Sequence, residues 1–134
     1  MNPNDIIPDV PRDAIPPLFQ PIYQGSSDVE PWLREDDTVL GFELNCDARA
    51  FPLKNMNWHE IVNNSIGGKD VVVTYCPRCR SGIVFDNRLQ DGTLLTFGDI
   101  GALYQSAMVM YDRETESAWW QAAGEAITDP LKGA

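Results

Sequence analysis

The side chains best suited to chemistry are two thiols and an imidazole. Cys76 and Cys79 bracket a Cys-Pro-Arg-Cys turn, and His59, the chain's only histidine, lies upstream in Asn57-Trp58-His59-Glu60. A pair of cysteines at this spacing supports three readings. In a tight turn, Cys-Pro-x-Cys aims two sulfurs and several amide groups at one point, as structural zinc sites require. The same pair can run thiol chemistry if a thiolate is stabilised, and Arg78 and Arg80 supply nearby positive charge. The third reading is structural, two weakly reactive cysteines in a turn. His59 is the natural third metal ligand, and it could equally serve as a base toward Cys76 or Cys79. Three protein ligands leave the fourth zinc position open, and reduced thiols favour zinc or copper(I).

The elements that must position these groups are a strand and a helix. Val71-Val72-Val73-Thr74-Tyr75 is a β-branched, apolar run that predicts a buried strand ending at Cys76. Beyond Cys79 the chain reads Arg80-Ser81-Gly82-Ile83-Val84-Phe85, a turn and a second strand. A thioredoxin-like site has a helix there, so that fold is not expected. The pattern predicts one short helix over residues 57–66. Asn57 caps it, Glu60 completes a capping-box pair, and Trp58, Ile61, Val62 and Ser65 share a face. Gly67-Gly68 ends it. His59 then falls in the first turn, where the helix dipole disfavours the imidazolium and keeps the ring in its metal-binding form.

Elsewhere the periodicity is that of strands. Val39 to Leu44 and Ala48 to Pro52 predict a hairpin around Asn45-Cys46-Asp47, with Cys46 incidental. Strands are expected over 81–86, 94–98, 107–112 and 117–121, separated by turn residues at intervals that favour an antiparallel meander. Met108 and Met110 are expected in the core, not as copper ligands. Trp119-Trp120 predicts one core ring and one exposed ring. Tyr111 to Ser117 predicts a charged turn with an Asp112–Arg113 ion pair. Seven prolines within residues 1–37 interrupt any helix or central strand, yet Ile15, Leu18, Phe19, Ile22, Tyr23 and Trp32 are apolar. They predict an extended arm packed on the core. The fold class is therefore α+β: a mostly antiparallel β meander or barrel-like sheet with one short helix, residues 38–134 forming a single domain behind a Pro-rich N-terminal arm over 1–37.

Charge narrows the partners. Twenty Asp and Glu against ten Lys and Arg give a net charge of −10, which excludes nucleic acid as a partner. No apolar run reaches the roughly 20 residues of a membrane span. The polar start Met1-Asn2-Pro3-Asn4-Asp5 lacks a secretory pattern and predicts a cytoplasmic protein. The remaining partners are a small molecule or a protein, including a second copy of the chain.

Several stretches together resemble a family of proteins of unknown function, the one numbered 3179. They are Ala48-Arg49-Ala50-Phe51-Pro52, Asn57-Trp58-His59-Glu60-Ile61-Val62-Asn63, Thr74-Tyr75-Cys76-Pro77-x-Cys79, Ser106 with Met110-Tyr111-Asp112-Arg113, and Thr115-Glu116-Ser117 followed by Trp119 or Trp120. The resemblance implies that His59, Cys76 and Cys79 belong to the family pattern, and it implies no activity. It also implies that Cys46 replaces a glycine-type turn residue, that this chain is C-terminally shortened, and that many relatives are exported. The functional expectation is a metal-binding or thiol-active domain built on Cys76, Cys79 and His59. The alternative is a non-catalytic interaction module in which the same cluster is structural.

Overall fold

The computed structural model describes residues 6–8, 10–25, 28, 31–77, 80–105, 107–128 and 130–132. The architecture is mostly antiparallel β. A four-stranded sheet packs against a five-stranded one, and a two-stranded hairpin covers the outer face of the first. None of the sheets closes into a barrel.

The four-stranded sheet carries Cys76. Its members are β2 (Leu18–Phe19), β5 (Ile61–Ile66), β6 (Lys69–Cys76) and β7 (Ser81–Asp86), in that order across the sheet. β6 lies between two neighbours and is buried from Val71 to Cys76, which is why its sequence is apolar without alternation. Its side chains still obey the twofold period of a strand. Val72 and Cys76 enter the core between the two large sheets, whereas Val71, Val73 and Tyr75 face Phe51, Met56 and the hairpin. The five-stranded sheet is built from β1 (Ile7–Pro8), β8 (Phe97–Tyr104), β9 (Ala107–Asp112), β10 (Ala118–Trp120) and β11 (Glu125–Ala126). All six residues of β9 are buried, Met108 and Met110 among them. The separate hairpin pairs β3 (Val39–Leu44) with β4 (Asp47–Pro52).

Two expectations need correction. The helix, α1, spans Leu53–His59, and Ile61–Ile66 is the strand β5. Asn57 is inside the helix, and Pro52 stands at its N-cap with no side-chain cap bond. Pro52 fixes the φ of the entering chain, so the helix starts directly from β4. It ends where Glu60 takes a φ of 61°, which reverses the chain into β5. The stretch Ile-Val-Asn-Asn-Ser-Ile is β-branched enough to prefer the pleated surface, and tertiary pairing with β6 decides the outcome. Gly67-Gly68 is consequently the two-residue turn between β5 and β6, both glycines at positive φ. A Cβ at Gly67 would lie 2.2 Å from the Leu44 carbonyl oxygen, so the turn packs against the β3–β4 hairpin only as glycine. The helical face imagined for Trp58 does not exist, and its ring is 76% exposed.

The second correction is β8, which begins at Phe97, not Leu94, and runs to Tyr104. A bulge between Asp99 and Ala102, with Gly101 at a φ of 78°, breaks the alternation that would have marked the strand.

The arm adds an edge strand to each large sheet. β1 pairs antiparallel with β8, and β2 pairs parallel with β5. Leu18 and Tyr23 pack on the core, while Ile22 is 98% exposed.

Two buried amides fasten the layers. Asn63 on β5 accepts the Phe97 N–H at 2.8 Å and donates to the Phe97 carbonyl at 2.9 Å, copying a strand pair across the sheet gap. Gln121 donates to Thr74 Oγ1 at 3.2 Å and to the Ser81 carbonyl at 3.3 Å, and Ser81 Oγ donates back to Gln121 Oε1 at 3.2 Å. It thereby holds the base of the β6–β7 hairpin.

Candidate functional site

Cys76 is the last residue of β6 and pairs with Ser81, the first of β7, so the chain turns through residues 77–80 between them. Cys76 and Ser81 therefore close a β-hairpin, with strand and not helix from Ser81 onward. Cys76 is buried, in the apolar cluster with Ile61, Phe97 and Met108. Arg78 and Cys79 lie outside the described residues. Arg80 is exposed, at a φ of 53°.

The β5–β6 register brings His59 to the same end of the sheet. Ile61 pairs with Thr74, and beyond that pair the Tyr75 amide donates to the Glu60 carbonyl at 2.8 Å. His59 is one residue further. It closes the helix at its carbonyl end, so it does not feel the positive amide end of the dipole. A different contact takes over. His59 Nδ1 lies 2.9 Å from the Pro16 carbonyl oxygen. A carbonyl only accepts, so Nδ1 carries the hydrogen, and in the neutral ring Nε2 is left with the lone pair.

Pro16 follows Ile15, and Ile15 lines a small cleft together with Glu60, Cys76, Pro77, Asp99 and Met108. The cleft holds about 40 Å³, room for a water molecule or an ion and too little for an organic substrate. Its two carboxylates were not singled out by sequence. Asp99 is buried in the β8 bulge, where its Oδ1 accepts the Gly101 N–H at 2.7 Å. Glu60 is buried because its positive φ folds the end of α1 inward. No spacing rule marks either residue, since one depends on a bulge and the other on a helix stop. Among the described residues, no group of three or more His, Cys, Asp or Glu side chains is close enough to hold a metal ion.

The arm that orients His59 is itself anchored. The Asp13 amide donates to the Asp99 carbonyl at 2.9 Å, and the Tyr111 hydroxyl donates to Asp13 Oδ2 at 2.5 Å. Burial pushes the Tyr111 hydroxyl above its ordinary pKa, and the hydrogen bond to Asp13 adds to the shift. Arg12 stacks 4.1 Å over the Tyr111 ring.

The remaining family-like stretch is architectural. Asp112 accepts the Thr115 N–H at 2.5 Å, the Thr115 hydroxyl at 2.8 Å and the Trp119 Nε1–H at 2.8 Å. It organises the turn from β9 to β10 in place of the expected pair with Arg113, whose guanidinium lies 4.3 Å over the Phe19 ring. Trp119 is buried, and Trp120 is half-buried against Tyr104 at 5.2 Å. Cys46 sits exposed in the β3–β4 turn, away from the Cys76 cleft. No helix among the described residues is long and apolar enough to cross a membrane.

The chain belongs to the family described as Protein of unknown function (DUF3179), whose model matches residues 12–134. No curated protein and no solved structure matches it.

Proposed function

We propose that the tip of the β6–β7 hairpin is a soft-metal site in which Cys76, Cys79 and His59 are the ligands and zinc or copper(I) the metal. The observation that carries this reading is the His59 Nδ1 bond to the Pro16 carbonyl. Metal-binding histidines commonly donate their second ring nitrogen to a carbonyl or carboxylate, which fixes the ring and leaves the other nitrogen for the metal. The cleft beside Cys76 has the volume of an ion, which favours ligation over thiol chemistry on an organic substrate. Two thiolates and Zn²⁺ sum to zero charge, which suits a cysteine that is only 2% exposed.

The same burial supports a second reading, in which the protein is a non-catalytic interaction module and Cys76 a core residue that braces the hairpin. The two readings predict different outcomes for protein purified under reducing conditions and analysed for metal. As a metal site, it carries about one equivalent of zinc or copper. Cys76→Ser and Cys79→Ser abolish that content, and His59→Ala weakens zinc affinity by at least tenfold. As a brace, the wild type holds no stoichiometric metal, and His59→Ala changes neither metal content nor thiol reactivity.

A further inference from the structure

At the opposite end of the β6–β7 pair, where Val71 meets Asp86, the space between the two large sheets is not filled. A cavity of about 240 Å³ opens there, lined by Phe85, Leu95, Phe97, Met110, Trp119 and Asn87. It is larger than the roughly 150 Å³ apolar cavities known to take up benzene. Asp86, Arg88 and Gln90 also line it but are exposed, which leaves Asn87 as the buried polar residue of an otherwise apolar inner wall. Phe97 and Trp119 meet edge to face, with ring centroids 5.7 Å apart.

The amide is out of place in such a wall. Asn87 is 5% exposed, and its Oδ1 has no hydrogen-bond partner among the described residues. Its backbone is held on both sides, by the Asp70 carbonyl at 3.2 Å and the Leu95 N–H at 2.8 Å. Its Nδ2 makes a 3.5 Å contact with the Val71 carbonyl. A buried acceptor left unpaired is costly, and native proteins rarely keep one without a use. The charges at the rim are already engaged. Arg88 donates to Asp70 at 2.6 Å and to the Gly92 carbonyl at 2.7 Å, and Asp86 accepts the Arg88 N–H at 2.9 Å.

We infer that this cavity is a ligand site for a small, neutral, planar molecule, a single or fused ring bearing one hydrogen-bond donor that reaches Asn87 Oδ1. An apolar pocket with a few well-placed polar groups is the usual form of such sites. The aromatic walls supply contact area to a ring, and the lone acceptor selects a hydroxyl or ring N–H over a plain hydrocarbon. The site is independent of the cysteine turn, so neither proposal stands or falls with the other.

The test uses phenol, indole and toluene as probes on the full chain, followed by ligand-observed NMR and calorimetry. Wild-type protein binds phenol and indole about threefold to tenfold more tightly than toluene, the difference expected of one neutral hydrogen bond. Asn87→Leu removes that preference and retains toluene binding. Leu89→Trp, on a half-buried side chain packed against the same core, fills the cavity and abolishes binding of all three. It leaves the Asn87 backbone bonds in place, so the test holds even if Asn87→Leu does not fold. A wild type that binds none of the probes, as a cavity holding only water would, overturns the inference. So does a preference that survives Asn87→Leu, or binding that survives Leu89→Trp.

Discussion

The two ends of the sheet sandwich enclose spaces of very different size. At the cysteine end the space is small, about 40 Å³, and polar groups crowd it: a thiol, two carboxylates and the Gln121 network alongside. At the Asn87 end the space is six times as large; its inner wall is apolar, the exposed Asp86, Arg88 and Gln90 border it, and one buried acceptor is unused. Both ends share β6 and the same β-branched run. The difference lies in what the neighbouring strands bring. β5 continues past the first end into Glu60 and His59, while β7 leaves the second at Asp86 and covers it only with a loop. A uniform strand can therefore serve two chemistries, because the residues that distinguish them sit just beyond its ends.

Substituting one buried amide at each end, Gln121 and Asn87, should break the comparison most visibly. Gln121→Leu removes three hydrogen bonds, to Thr74 Oγ1, the Ser81 carbonyl and Ser81 Oγ, at the crowded end and should destabilise by about 3 kcal/mol, read from urea unfolding. Asn87→Leu removes a group that satisfies little, and should change stability by no more than about 1 kcal/mol. Equal losses at both positions would show that the Asn87 end is not a preformed cavity.

Neighbouring valines on β6 sharpen the same contrast. Val73 is fully buried in the layer beneath the hairpin, and Val73→Leu should cost about 1–3 kcal/mol through overpacking. Val72 borders the cavity, and Val72→Leu should cost less than about 1 kcal/mol. The same unfolding curves measure both, and a Val72 penalty as large as that of Val73 would mean the space is not there.

Smaller effects are expected in the β3–β4 hairpin, away from both ends. Cys46 is held at a φ of 63°, a conformation a glycine adopts without strain. Cys46→Gly should stabilise by about 1 kcal/mol and raise the thermal midpoint by about 3 °C, visible by calorimetry. In the same hairpin, the hydrogen bond from Arg49 holds the Asp47 carboxyl below its ordinary pKa, aided by the Gly67 N–H. The carboxylate's contribution is thus present above the ordinary value near 3.8 and is lost as the pH falls through the lower folded-state value. Asp47→Asn should flatten the acid limb of the stability–pH curve below about pH 4 and leave its neutral slope unchanged.

Much of this was legible in the chain. The apolar run of β6, the hairpin around Cys46 and the limits of β7 and β9 follow from β-branched content, alternation and turn residues. So does the absence of a thioredoxin-type helix. The misplaced helix shows how local signals mislead. Asn57 and Glu60 have capping-box spacing, yet Pro52 had already started the helix and pairing with β6 claimed residues 61–66. Glycine and aspartate inside β8 hid a strand whose bulge buries Asp99. Buried amides were the least legible. Asn63, Asn87 and Gln121 are residue types expected in turns or on surfaces, and only their tertiary partners reveal two as fasteners and one as an unused acceptor.

The central claim concerns the hairpin tip, and X-ray absorption at the zinc edge of zinc-loaded, reduced protein tests it most directly. A Cys76, Cys79 and His59 site predicts two sulfur scatterers at about 2.3 Å and one imidazole nitrogen at about 2.0 Å, with the imidazole signal lost in His59→Ala. A zinc shell of oxygen and nitrogen without sulfur, or protein that retains no zinc, would contradict it.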